Sequence, residues 1–198
     1  MALLVLSGPS GCGKSSLVNE VLKKNDDIYF SISTTTRAPR EGEKEGKDYF
    51  YISKKKFKKE IDNGLFLEWA EVHGNYYGTS IKPIEEALSI GKLVIFDIDV
   101  QGHEIVKKRY ASIMTSLFIT TPNQEILKNR LIKRATDKIE TIESRLINAK
   151  SEMARIGEYD YLLVNDDFKL SLDSFESVVK VARLKQSEEQ IEQFRNGW

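Results

Sequence analysis

The stretch that most constrains this chain is Gly8-Pro9-Ser10-Gly11-Cys12-Gly13-Lys14-Ser15. It follows the apolar run Leu3-Leu4-Val5-Leu6 and precedes a segment from Ser15 to Lys24 whose pattern predicts a helix. The order is strand, glycine-rich turn, helix. A helix start leaves backbone N–H groups without partners and carries a partial positive charge, so a turn wrapped around it binds phosphate. Gly8, Gly11 and Gly13 permit that wrap and let an oxyanion come close to the backbone. Lys14 is placed to reach β and γ phosphates, and the Ser15 hydroxyl to ligate Mg²⁺. The stretch therefore predicts a nucleoside triphosphate site. Cys12 fills a variable position as a small residue, where the helix start would lower its pKa and open it to labelling.

At 198 residues the chain supports one substantial α/β core with appended lobes. Lys plus Arg (30) balances Asp plus Glu (30), so no overall field argues for nucleic acid, and local arginines must do any anion binding. One cysteine rules out an internal disulfide and suits a reducing cytosol. No apolar stretch approaches the roughly 20 residues of a membrane span, and no basic segment precedes the first apolar run. The expectation is a cytoplasmic protein with neither a membrane nor a nucleic acid as partner.

Along the chain, Ile28 to Thr34 alternates as a strand and runs into a loop of hydroxyls and cations, Ser33 to Glu43. A short strand (Asp48 to Ser53), a basic amphipathic helix (Lys54 to Asp62) and two more short strands (Phe66 to Val72 and Gly74 to Ser80) suggest a small β-rich lobe. After a helix closing at Gly91, Lys92 to Asp97 reads as a buried strand ending in an acid. An aspartate there is where such folds hold or water-bridge Mg²⁺. Asp99 points the same way if the strand continues. A helix near His103, a strand from Ser116 to Thr120 and the stop Thr121-Pro122 follow. Arg130 and Arg134 then share one helical face, and a polar stretch leads to a helix bearing Arg145. Two charged helices joined this way suit a mobile flap. Tyr161 to Asn165 forms a further buried strand, and a last helix starts near Leu172. His73 and His103 are expected to be structural or solvated. The βα alternation predicts a parallel sheet with helices on both faces and ligands at the carboxyl ends of its strands.

Together these residues resemble the guanylate kinase family over nearly the whole chain. The resemblance rests on Ser7 to Ser15, Thr35-Thr36-Arg37-Ala38-Pro39-Arg40 with Glu43, and Gly46-Lys47-Asp48-Tyr49. Gly74-Asn75-Tyr76-Tyr77-Gly78, Asp97 to Gly102 and Val164-Asn165-Asp166-Asp167 complete it. It implies a P-loop core (1–32, 81–122, 152–198), a GMP-binding lobe (33–80) and a helical lid (123–151). It implies transfer of the γ-phosphate of ATP to GMP, and to dGMP, with Mg²⁺ accompanying ATP.

Position by position, the resemblance assigns Gly8, Pro9, Ser10, Gly11, Cys12, Gly13, Lys14, Ser15 and Ser16 to ATP, with Asn165 near adenine. Arg37, Arg40, Tyr49 and Tyr77 match the clamp on the GMP phosphate, with Glu43 beside them. Ser33, Glu68 and Thr79 match the guanine readers. Asp97 and Asp99 fall near metal and GMP, with Ser15 and Asp97 (through water) as metal ligands. Lys14, Arg37, Asp97 and the lid arginines Arg130, Arg134 and Arg145 form the catalytic set. Ala135, where glycine often stands, and the basic, apolar Asp137-Lys138-Ile139 depart from the pattern and bear on lid motion.

The chemistry agrees. An ionised Glu68 can accept from both N1–H and the exocyclic amine of guanine, whereas adenine offers a bare acceptor at N1. Hydroxyls at Ser33 and Thr79 can donate to the guanine carbonyl, and planar arginines with tyrosine hydroxyls suit a doubly charged monophosphate. Two other readings stay open: a non-catalytic binding module of the same fold, and a related kinase of ribose phosphates.

Overall fold

The structure, a computed structural model, describes residues 1–40, 42–72, 74–133 and 139–198. His73 and the stretch 134–138, which holds Arg134 and Ala135, lie outside them.

Five parallel strands form the core sheet: β1 (Ala2–Ser7), β2 (Ile28–Phe30), β7 (Leu93–Asp97), β8 (Met114–Thr120) and β9 (Tyr161–Val164), in the order β2-β7-β1-β8-β9. β1 is buried along its whole length because both its faces are covered. Leu4 and Leu6 pack with Leu17 and Val21 of α1 (Lys14–Lys24) and Phe175 of α7 (Phe168–Ala182). Leu3 and Val5 point the other way, to Ile84 of α3 (Ile81–Ser89) and Val106 of α4 (Val100–Tyr110). The chain leaves β1 for β2 on one side and later fills β8 on the other, so the crevice at the carboxyl end of β1 is a topological switch point.

A second, four-stranded sheet, order β4-β3-β6-β5, is built from β3 (Thr34–Thr35), β4 (Phe50–Tyr51), β5 (Phe66–Val72) and β6 (Asn75–Ser80). Phe57 of α2 (Lys54–Asp62), fully buried, stacks on Phe66 at 4.2 Å and Tyr76 at 5.4 Å and pins the helix to this sheet. Ser53 caps α2 by accepting from the Lys56 N–H.

Three expectations change. The alternating run from Ile28 to Thr34 is two strands in two sheets, broken after Phe30, because alternation reports which residues face inward but not which sheet they face. The strand through Asp97 does not continue to Asp99. Asp99 instead caps α4, its carboxylate accepting from the N–H groups of Gln101 and Gly102 at 2.9 and 2.8 Å. The helices α5 (Gln124–Lys133) and α6 (Ile139–Met153), expected as a loose flap, are seated on the core by Leu127, Leu131, Ile142, Leu146 and Ala149. Their apolar residues recur at helical spacing within charged sequence, so an average over the segment hides the stripe.

Candidate active site

The glycine-rich turn wraps the start of α1 as its sequence requires. Gly13 holds φ +101° at the helix N-cap, and a β-carbon there would run into the Asn165 side chain. Gly8 holds φ +142°, and a β-carbon there would strike the Ile119 carbonyl. Both positions therefore exclude any side chain. Asn165, buried at the end of β9, donates from its amide to the Cys12 carbonyl at 2.7 Å and so braces the loop from behind. The resemblance had put Asn165 beside adenine; here its amide nitrogen faces the loop. Cys12 is fully buried and burial pushes its thiol pKa up, so the expected labelling site is closed.

The loop opens on a cleft of about 690 Å³ lined by Gly8, Ser10, Gly11, Gly13, Lys14, Ser15 and Ser16. Asp97, Ile98, Asp99, Arg130, Asn165 and Asp166, with Glu152 and Phe168, complete its walls. The Lys14 ammonium lies 2.5 Å from the Gly8 carbonyl and 3.8 Å from the Asp97 carboxylate. Burial raises the Asp97 pKa and Lys14 opposes the rise. Glu152, on α6, is likewise raised, first by burial and then by Asp99, against the pull of Lys14. Ser15 and Asp97 offer hard oxygen donors. Among the described residues no three His, Cys, Asp or Glu side chains gather to hold a metal. A cation here would complete its shell with phosphate oxygens and water, which is how Mg²⁺ binds.

The lid arginines fall as follows. Arg130 donates to the carbonyls of Cys12 (3.3 Å) and Asn165 (2.9 Å), joining α5 to the loop and to β9. Arg145 of α6 donates to the Ser10 hydroxyl. Arg134 lies outside the described residues.

In the second sheet, a bulge between Phe66 and Glu68 shifts the pairing so that Glu68 stands opposite Thr79. The Thr79 hydroxyl, buried, donates to Glu68 at 2.5 Å, so its proton goes to the carboxylate and not toward a guanine carbonyl in this conformation. Burial raises the Glu68 pKa; the Thr79 bond lowers it and Asp99 raises it again. Ser33 pairs its carbonyl with the Phe50 N–H, at the edge of the same sheet. Arg37 donates to both oxygens of Glu43 at 2.8 and 3.0 Å and lies 5.5 Å over the Tyr49 ring. Tyr49 in turn meets Tyr77 edge-on at 6.0 Å. Glu43 also accepts from the Arg40 N–H at 2.7 Å and the Tyr51 hydroxyl at 2.8 Å. The Arg37 bonds, with these two behind them, hold its pKa down to about 2. Tyr51 was not anticipated; the only signal was its place on the same strand face as Tyr49. Glu152 and Phe168 were missed because nothing in their local sequence marks them.

A P-loop at a parallel-sheet switch point, with a second sheet carrying a half-buried carboxylate and a cation–tyrosine cluster, defines a nucleotide-binding protein of the P-loop kinase class. Comparison with known proteins narrows this. The guanylate kinase family model matches residues 1–182. A guanylate kinase of Wolinella succinogenes is 52% identical over 197 residues, covering 100% of this chain and 92% of the relative. One of Helicobacter pylori is 56% identical over 185 residues, covering 92% and 89%. The crystal structure of guanylate kinase from Anaplasma phagocytophilum superposes with a TM-score of 0.72 at 34% identity, covering 93% of this chain and 87% of that one. The chain belongs to the guanylate kinase family.

Proposed function

We propose that this protein transfers the γ-phosphoryl group of ATP to GMP, giving ADP and GDP, with dGMP as a second acceptor. The observation that carries the reading is the presence in one chain of an intact P-loop, with Lys14 at the cleft, and of a second sheet that carries half-buried Glu68 on β5 and has the Arg37–Glu43 cluster at the loop after β3. The triphosphate lies along the loop amides from Gly8 to Ser16, with the Lys14 ammonium turned from the Gly8 carbonyl to the β and γ phosphates. Glu68 accepts from N1–H and the 2-amino group of guanine, with Ser33, Thr79 and Asp99 around the base. Arg37, Arg40, Tyr49 and Tyr77 hold the GMP phosphate, and Glu43 orients Arg37.

A phosphate monoester has its second pKa near about 6, so the attacking oxygen of GMP is already ionised and needs no strong base. The protein's task is alignment and charge neutralisation, because two polyanions repel and the transferring group is loosely bonded in its transition state. Lys14, Arg37, Arg130 and Arg145 supply fixed positive charge around the transferring group, with Arg134 assigned to the same set by resemblance, and α5 and α6, seated on the core beside the cleft, limit the access of water. Ser15 and Asp97, the latter through water, would hold Mg²⁺, which would neutralise phosphate charge when bound. We place the protein in the cytoplasm, where both nucleotides are available; none of its described helices is long and apolar enough to cross a membrane.

A non-catalytic binding module has no need of Lys14, Ser15 and Asp97 around one cleft, and a ribose phosphate lacks the paired N–H donors of guanine that suit half-buried Glu68. The test is a panel of GMP, dGMP, AMP, UMP, CMP and a ribose bisphosphate with ATP and Mg²⁺. ADP release is expected with GMP and dGMP alone; release with a ribose phosphate and not GMP, or ATP binding without turnover on any of them, rejects the reading.

A further inference from the structure

Glu43 accepts from three groups, and two of them, the Arg37 guanidinium and the Arg40 N–H, belong to its own loop. The third is the Tyr51 hydroxyl, 2.8 Å away on β4. β4 is paired with β3, and β3 with β6, so Tyr51 gives the carboxylate a bond of its own to the sheet, beside the indirect tie through Arg37, which also bonds to Tyr77 of β6. Its ring also lies 6.0 Å from that of Tyr49, the ring under Arg37. We infer that Tyr51 is a positioning residue for the acceptor phosphate: its hydroxyl fixes Glu43, Glu43 fixes Arg37, and Arg37 thereby meets the phosphate without first being ordered. The inference rests on the proposed function, since it takes that phosphate to be the one on GMP.

The physical basis is preorganisation. A guanidinium held by both oxygens of one carboxylate has lost most of its rotamer freedom before the ligand arrives, so binding does not bear that cost. Remove the phenol oxygen and the Arg37–Glu43 pair persists, still held at Arg37 by Tyr77, but Glu43 loses its own bond to the sheet and is fixed less tightly. Tyr51 has its own proton firmly placed: burial and then the Glu43 bond push its pKa up to about 12, so it stays a donor at any working pH. The loss should fall on the phosphate, because the Tyr51 hydroxyl bonds to Glu43 and not to Ser33, Glu68, Thr79 or Asp99, the residues around the base.

The test compares the parent protein with Tyr51→Phe, which removes one oxygen and keeps the ring packed. The dissociation constant for GMP is measured by calorimetry, and the inhibition constant for guanosine, which has the base but no phosphate, by competition. Weakening of GMP by about five- to tenfold is expected from a lost bond to a charged group at a half-exposed site. Guanosine and KM for ATP are expected unchanged, and kcat within about twofold. Equal weakening of GMP and guanosine would assign Tyr51 to the general stability of the lobe, and no change in either would leave Glu43 held without it; both overturn the inference. A parent protein that binds guanosine and GMP alike, or neither, contradicts the proposed function itself.

Discussion

Glu68, Lys14 and His103 illustrate how burial decides what a side chain can do. Glu68→Gln exchanges an acceptor for a group that presents N–H to the guanine donors, at about 2–3 kcal/mol for a buried mismatch. The kcat/KM for GMP is expected to fall about 30- to 150-fold while that for AMP hardly moves; equal losses on both bases would place base reading elsewhere. Lys14→Ala should lower kcat by about 100- to 1,000-fold, with GMP affinity by calorimetry unchanged. His103 is 1% exposed, stacked on Tyr159 at 4.1 Å, and its ring nitrogens have no hydrogen-bond partner among the described residues. Burial and then Lys107 lower its pKa, with Arg155 adding to this and Glu158 and Asp160 opposing it. With the folded value below 6.5, the unfolded chain takes up the proton first, so stability falls as pH drops through 6.5 toward the folded value. His103→Phe, which keeps the stack, should flatten the fall in Tm between pH 7 and 5.5; an unchanged slope would show that other groups cause it.

At the scale of elements, Phe57 carries the second sheet much as β1 carries the first. Phe57→Ala removes a fully buried ring that stacks on both Phe66 and Tyr76, a loss of about 3–5 kcal/mol by the usual cost of such cavities. Because that sheet has its own packing, GMP affinity should collapse while affinity for a non-hydrolysable ATP analogue stays, and amide exchange should quicken in β5 and β6 before β1. Quickening throughout would mean that the two sheets unfold as one. The elements easiest to read were those whose sequence and environment agree: β1, with apolar residues on both faces, and the turn into α1, where glycines stand at positive φ. The change of sheet after Phe30 was hidden because it depends on strand partners distant in sequence, whereas the cap at Asp99 is local and was obscured by the apolar run before it, which reads on as strand. The same holds within the site. Glu68, Arg37 and Tyr77 could be placed by resemblance, whereas the bond from Tyr51 to Glu43 and the buried Glu152 oxygen arise only when strands and helices are assembled.

For the whole molecule, the core sheet presents loop amides at its switch point and the second sheet presents Glu68 and Arg37, so the account requires two nucleotides bound head to head. Asp99 lines the loop cleft beside Glu152 and also raises the pKa of Glu68 on the second sheet. The most direct measurement is a crystal structure with GMP and a non-hydrolysable ATP analogue. The account predicts the guanine ring on Glu68 and the GMP phosphate oxygen roughly 3–3.5 Å from the γ-phosphorus, in line with the bond to be broken. GMP bound away from the second sheet, or facing away from Lys14, would contradict it.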